Sequence, residues 1–174
     1  MKTLTKKTKT TKFATKHFRI GMITSPDKSD LFNQSLEQMC ELGFVVSVLA
    51  LGDEENQKKL MDISDKYKGQ FEILEATDQN KKKIISQSDV ILFLDKPEKS
   101  LLKKVMNKGV VPITPFCEEL RNFDSQSETG NAFCFSKGNF WEMFATIVRA
   151  FENYKFVYDW NNLQKTVKKS MENS

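Results

Sequence analysis

Hydrophobic and polar positions alternate in blocks along this chain, and the period changes from block to block. Short apolar runs fall at residues 18–23, 44–51, 70–74, 90–94, 110–113 and 132–135. The runs at 44–51, 90–94 and 110–113 lack polar alternation, as strands buried on both faces of a parallel sheet do. Residues 28–42 carry a helical stripe, with Leu31, Phe32, Leu36 and Met39 on one face and Gly43 at the end. Asp53 is placed to cap a helix running to about Tyr67, with Leu60, Met61 and Ile63 turned inward. A short helix follows from Thr77 or Asp78 to about Ser86, and further helices are expected at 98–107, 139–153 and 157–171. Strands separated by helix-length segments predict an α/β fold: a Rossmann-like, three-layer α/β/α arrangement with a six-stranded parallel sheet.

Composition refines this picture in two places. The chain has 174 residues, 39% hydrophobic and 29% charged, enough for one domain with a sizeable core. Its net charge of +4 is unevenly spread. Residues 1–16 hold six lysines and no acid, so the remainder carries 4 − 6 = −2. The expected organisation is a disordered basic tail, 1–16, followed by a single domain from 17 to 174. A folded part without basic excess argues against nucleic-acid binding except through the lysine tail. No apolar run reaches the length of a membrane span. Cys40, Cys117 and Cys134 are few, odd in number and widely spaced, which reads as free thiols of a cytoplasmic protein and gives no zinc pattern. The single histidine, His17, has no catalytic or ligating companion nearby in sequence.

The chemistry is concentrated between Asp89 and Phe135. A buried strand there is followed by Asp95-Lys96-Pro97-Glu98, a charged helix, Gly109-Val110-Val111-Pro112-Ile113, a loop containing Cys117-Glu118-Glu119-Leu120, and Thr129-Gly130-Asn131-Ala132-Phe133. In this order the segment resembles the C-terminal, donor-binding half of the bacterial glycogen synthases and starch synthases, which are GT-B glycosyltransferases. The resemblance extends from about Phe18 to Met171, and includes Phe140-Trp141, Tyr154, Trp160 and Leu163 in the two closing helices.

The resemblance implies a ligand site outside the carboxyl ends of the strands. In the family an Arg and a Lys after the first strand bind the donor phosphates. Here Ser25 stands at the Arg position and Lys28 approximates the Lys. The family's Glu-Pro-x-Gly-Leu motif, whose carboxylate lies against the transferred glucose, is not matched here: the segment is about two residues shorter and lacks the Gly, and Glu98 is the best candidate equivalent of that carboxylate. Cys117, Glu118, Glu119 and Leu120 replace a Thr-Gly-Gly-Leu loop, so two acids stand beside the expected diphosphate. Read without the resemblance, Glu98 is an ordinary helix start, Lys28 a solvated lysine, and Glu118 and Glu119 solvated acids opening a helix.

Donor-site candidates are therefore Lys28, Glu98, Cys117, Glu118 and Glu119, with no catalytic residue, metal ligand or cofactor assigned. The implied ligand is a nucleotide-sugar, ADP-glucose or UDP-glucose, held weakly. GT-B enzymes also use an acceptor domain with a Lys-x-Gly-Gly motif, and these 174 residues contain no Gly-Gly pair. Three readings stay open. One is a degenerate donor domain without glycosyl transfer of its own, which retains weak nucleotide-sugar binding or serves as an interaction module. The second is the donor half of a split glycosyltransferase whose acceptor domain is a separate protein. The third is a polyanion-binding protein working through its lysine tail.

Overall fold

The computed structural model describes residues 17–24 and 30–170. The expected tail at 1–16, together with Ser25 and Lys28, lies outside the described residues. The elements run β1 (Arg19–Met22), α1 (Asp30–Glu41), β2 (Val45–Leu49), α2 (Glu54–Lys66), β3 (Phe71–Leu74), α3 (Asp78–Gln87), β4 (Val90–Leu92), α4 (Lys99–Asn107), β5 (Val111–Pro115), β6 (Phe133–Phe135), α5 (Phe140–Tyr154) and α6 (Val157–Ser170). All six strands are parallel, in the order β3-β2-β1-β4-β5-β6. The strands read as buried on both faces, β2, β4 and β5, sit inside the sheet, as their unbroken apolar pattern requires.

Alternation along each strand splits the core. Ile20, Met22, Val90 and Leu92 face one side; Ile23, Ile91 and Phe93 face the other. The first side is covered by α1, α2, α5 and α6, through Phe32, Leu36, Leu60, Met143, Ile147 and Trp160 among others. The second is covered, among the described residues, by α3 and α4, through Ile84, Ile85, Leu101 and Val105. Gly21 is what lets α3 lie so close to β1. A Cβ there would meet Ile84 Cγ2 and Ser88 Oγ at 2.5 Å.

The helix pair at the chain's end is tied to the start of the sheet by aromatic packing. Phe18 lies 5.4 Å from Phe44, 5.0 Å from Tyr154 and 6.2 Å from Trp160, ring centre to ring centre. Phe44 in turn lies 4.8 Å from Phe151. Offset and edge-on pairs of this kind add roughly 0.5–1.5 kcal/mol each beyond their buried area.

Helix starts follow their caps. Asp53 accepts from Asn56 N, Thr77 from Asn80 N and Asn139 from Glu142 N, each two to three residues into its helix. Three details differ from the sequence pattern. Met61 is 58% exposed, and the residues that α2 buries are Asn56, Leu60 and Ile63. The fourth strand stops at Leu92, although Phe93 stays fully buried against the second face. The fifth runs on to Pro115, since a proline ending a strand forfeits no ladder bond the sheet needs.

Gly130 should tolerate no side chain. Its φ is +110°, and a Cβ would lie 2.6 Å from Asn122 O and Phe123 Cα. Gly130→Ala is expected to cost about 2–4 kcal/mol, strain and overpacking together, in denaturant unfolding. Gly69→Ala, at a φ of +84° in open space, should cost only about 1 kcal/mol.

Candidate functional site

The carboxyl ends of the strands are built from the loops after β4, β5 and β6. After β4 the chain turns through Asp95 and Lys96, buries Pro97, and enters α4 at Glu98. Glu98 is exposed and extended, with φ −62° and ψ 139°, and its side chain makes no capping bond. The first intrahelical bond runs from Leu102 N to Glu98 O. The N–H groups of Lys99, Ser100 and Leu101 therefore point past the helix end without a side-chain cap, a geometry suited to an anion.

The loop after β5 turns at once. Leu120 N donates to Cys117 O at 3.3 Å, so Glu118 and Glu119 form the corners of a tight turn. Neither corner has positive φ, so this path needs no glycine. The two acids were expected to open a helix as solvated residues; no helix starts there. Leu120 is buried and anchors the turn, while Glu118 remains exposed.

Glu119 is not solvated either. Its Oε1 lies 2.9 Å from Lys96 Nζ across the gap between the two loops, and its side chain is only 25% exposed. Its Oε2 is buried and accepts no hydrogen bond among the described residues. The ammonium of Lys96 holds the Glu119 carboxyl below the usual range, and Lys99 adds to this. Lys96 is correspondingly raised by its bond to Glu119. Cys117 sits beside this pair, half-buried, and burial first and the Glu119 charge second push its thiol up. It stays a protonated thiol at neutral pH rather than a nucleophile. Cys40 and Cys134 are buried and pushed up to about 11 by that burial.

A second ion pair joins the same loop to the β6–α5 loop: Lys137 Nζ to Asp95 Oδ1, 2.7 Å. Across the rim, Asp95, Glu98, Glu118 and Glu119 face Lys96, Lys99 and Lys137, four acids against three bases. Behind it, residues 121–132 are braced by Asn122 and Asn131. Asn131 Oδ1 accepts from Arg121 N at 2.9 Å; Asn122 Oδ1 accepts from Cys134 N at 3.0 Å and Arg149 Nη2 at 2.7 Å. The structure thus brings Cys117, Glu119 and Lys96 together, with Glu98 at the helix start beside them and Glu118 on the outside. Lys28 lies outside the described residues. Sequence reading missed Asp95 and Lys96 as the residues that tie the rim together. Their proximity to Lys137 and Glu119 is set by the order of the strands, not by spacing along the chain.

With this geometry in view, comparison with known proteins is informative. No protein-family model matches the chain. Glycogen synthase 1 of Synechocystis sp. is 25% identical over 125 residues, covering 68% of this chain and 26% of that protein. The chain thus spans about a quarter of the length of that relative. HepE of Anabaena, solved with UDP and glucose, superposes with a TM-score of 0.67 at 12% identity, over 90% of this chain and 44% of that one. The catalytic domain of the cholesterol-α-glucosyltransferase of Helicobacter pylori superposes with a TM-score of 0.63 at 15% identity, over 91% of this chain and 99% of that one. The chain has the fold of a GT-B glycosyltransferase C-terminal domain and is related in sequence to glycogen synthase.

In this glycogen-synthase-like domain no described helix is long and apolar enough to cross a membrane. The rim just described is the edge of the sheet where α/β folds of this type bind ligands.

The Lys96–Glu119 pair gives a direct prediction. Carbon-detected carboxyl titration should show Glu119 titrating below the ordinary glutamate range, and Lys96→Ala should return it upward. A depressed carboxyl contributes stability that is complete above its unfolded-state pKa. That contribution should be lost as pH falls through the lowered value, and Lys96→Ala should remove it at neutral pH.

Proposed function

We propose that this domain is a degenerate donor-domain relative of the glycogen synthases, which holds a nucleotide-sugar weakly at its rim and transfers no glucose by itself. The observation that carries this reading is the Glu118-Glu119 turn, with Glu119 already paired to Lys96 at 2.9 Å. A donor diphosphate at the α4 start would take the open amides of Lys99, Ser100 and Leu101. It would also compete with Glu119 for Lys96 and meet the charge of Glu118. Glu98, free of any capping role, would face the sugar. Loss of a phosphate-binding guanidinium, with Ser25 in its place, removes charge-assisted bonds worth roughly 1.5–3 kcal/mol, one to two decades of affinity. The glutamate pair opposes binding further by repulsion at close range.

A titration with ADP-glucose and UDP-glucose, followed through amide chemical shifts, tests this. Binding should be millimolar, with shifts centred on residues 95–101 and 116–120. The double variant Glu118→Gly, Glu119→Gly should bind about tenfold more tightly, because it removes two charges and frees Lys96. Micromolar affinity in the unmodified chain, or glucan extension without a partner, overturns the reading.

One feature supports the split-enzyme alternative. Phe116, directly after β5, is 60% exposed, and Trp141, in the first turn of α5, is 66% exposed. Both lie on the same rim, where a GT-B enzyme closes on its acceptor domain. If a separate acceptor-domain protein with a Lys-x-Gly-Gly motif docks here, mixing the two chains should restore glucan extension. Phe116→Ala with Trp141→Ala should then abolish that gain without changing nucleotide-sugar binding.

A further inference from the structure

Among the described residues, the second face of the sheet is covered by the helices α3 and α4. Between them lies a groove of about 700 Å³. Lys82, Lys83, Lys104 and Lys108 line its edges, with the buried Ile85 and the amide of Asn107 inside. No acidic side chain lines it. Lys83 is held by Glu72 at 2.9 Å, but no described ion pair takes Lys82, Lys104 or Lys108. Along α3, α4 and the residue after it, seven lysines (Lys81, Lys82, Lys83, Lys99, Lys103, Lys104 and Lys108) stand against one acid, Asp78. This concentration belongs to a stretch, 17–174, whose net charge is −2. It is a local field rather than a general basicity.

We propose that the α3–α4 groove docks an acidic amphipathic segment of a partner protein. The lysine edges select carboxylates. Ile85 and the methylene stems of the lysines give the groove an apolar inner surface that suits a projecting aliphatic side chain, and the combination matches a helix with acids flanking an apolar stripe. The chemistry favours this occupant over two others. Lysines can contact phosphates, but base readout and stacking need arginine or aromatic side chains, and among the described residues neither type lines the groove. A lipid surface needs apolar side chains that project, whereas Ile85 is only 5% exposed.

The position of the groove separates it from the donor rim. It is lined by α3 from Gln79 to Ser86 and by the C-terminal end of α4, whereas the rim uses the start of α4 at the other end of that helix. Nine helical residues span roughly 13 Å. A partner held in the groove would leave the Lys96–Glu119 loops open, so the proposal does not depend on the donor reading.

The test titrates the full chain with a synthetic helix bearing leucine on one face and glutamate on the other. Amide shifts report the location and fluorescence anisotropy the affinity. The expected shifts fall at residues 79–86 and 104–108. Lys82→Glu, Lys104→Glu and Lys108→Glu together should weaken binding at least about tenfold. The matching glutamine variant should weaken it less, and serves if the reversal fails to fold. Changing the six lysines of residues 1–16 to glutamine should leave the affinity unchanged. Any of four results overturns the proposal: no shifts in the groove; equal binding of a leucine-free polyglutamate; dependence on the tail lysines; or tighter binding of an oligonucleotide or a phosphatidylserine vesicle at the same residues.

Discussion

Covering a parallel sheet on both faces is the constraint on which the rest of this structure depends. Strands without polar alternation cannot leave a face in water, so every helix is placed by what it must hide. Here the covering is unequal. Among the described residues, α1, α2, α5 and α6 pack on one face and α3 on the other, with α4 contributing Leu102 and Met106 to the first core and Leu101 and Val105 to the second. The heavily covered face is locked at its lower edge by Phe18, Phe44, Phe151, Tyr154 and Trp160, which join the first strand to the closing helix pair. The lightly covered face depends on Gly21 to bring α3 down onto β1, and leaves the lysine-edged groove between α3 and α4.

The same topology sets the chemistry of the rim. Placing β4 beside β5, with β6 next in order, brings three loops side by side. In a donor-binding domain those loops would offer backbone amides and cations to a diphosphate. In this chain the β4–α4 loop spends Lys96 on Glu119, while Asp95 holds Lys137. The start of α4 has no side-chain cap, and it lies beneath a rim of nearly balanced charge. Exposed ion pairs of this kind add little to stability. Their effect is on what can approach.

Much of the fold was legible in the sequence, for physical reasons. Unbroken apolar runs at 44–51 and 90–94 gave interior strands, and Asp53 announced its helix as a capping residue. The helices expected from Thr77 or Asp78 and from about Asn139 begin there, on caps that only the structure shows. The relation to glycogen synthase was legible because Gly109-Val110-Val111-Pro112-Ile113 and Thr129-Gly130-Asn131 sit at backbone positions with strict demands. At Gly130 a side chain would strike Asn122. What the sequence concealed was long-range. Glu118 and Glu119 look like a helix start because acids favour one; the buried Leu120 and the bond from its N–H to Cys117 O make a turn instead. Met61 fits the helical stripe of α2 but stays exposed, while Asn56, Leu60 and Ile63 are buried. Lys96 looked like a neighbour of Glu98 because the two are two residues apart; only strand order shows its partner to be Glu119.

On the proposed reading, the acids of the β5 loop hold a nucleotide-sugar off this rim, in addition to the loss of the phosphate-binding guanidinium at Ser25. The most direct measurement is the affinity for ADP-glucose at neutral pH, read from amide shifts, in the unmodified chain and in the isosteric variant Glu118→Gln, Glu119→Gln, which removes the two charges and keeps the shape of the loop. If the account is right, the variant binds about tenfold more tightly. An affinity unchanged or weaker in the variant, with the amide spectrum still that of the folded chain, would contradict it.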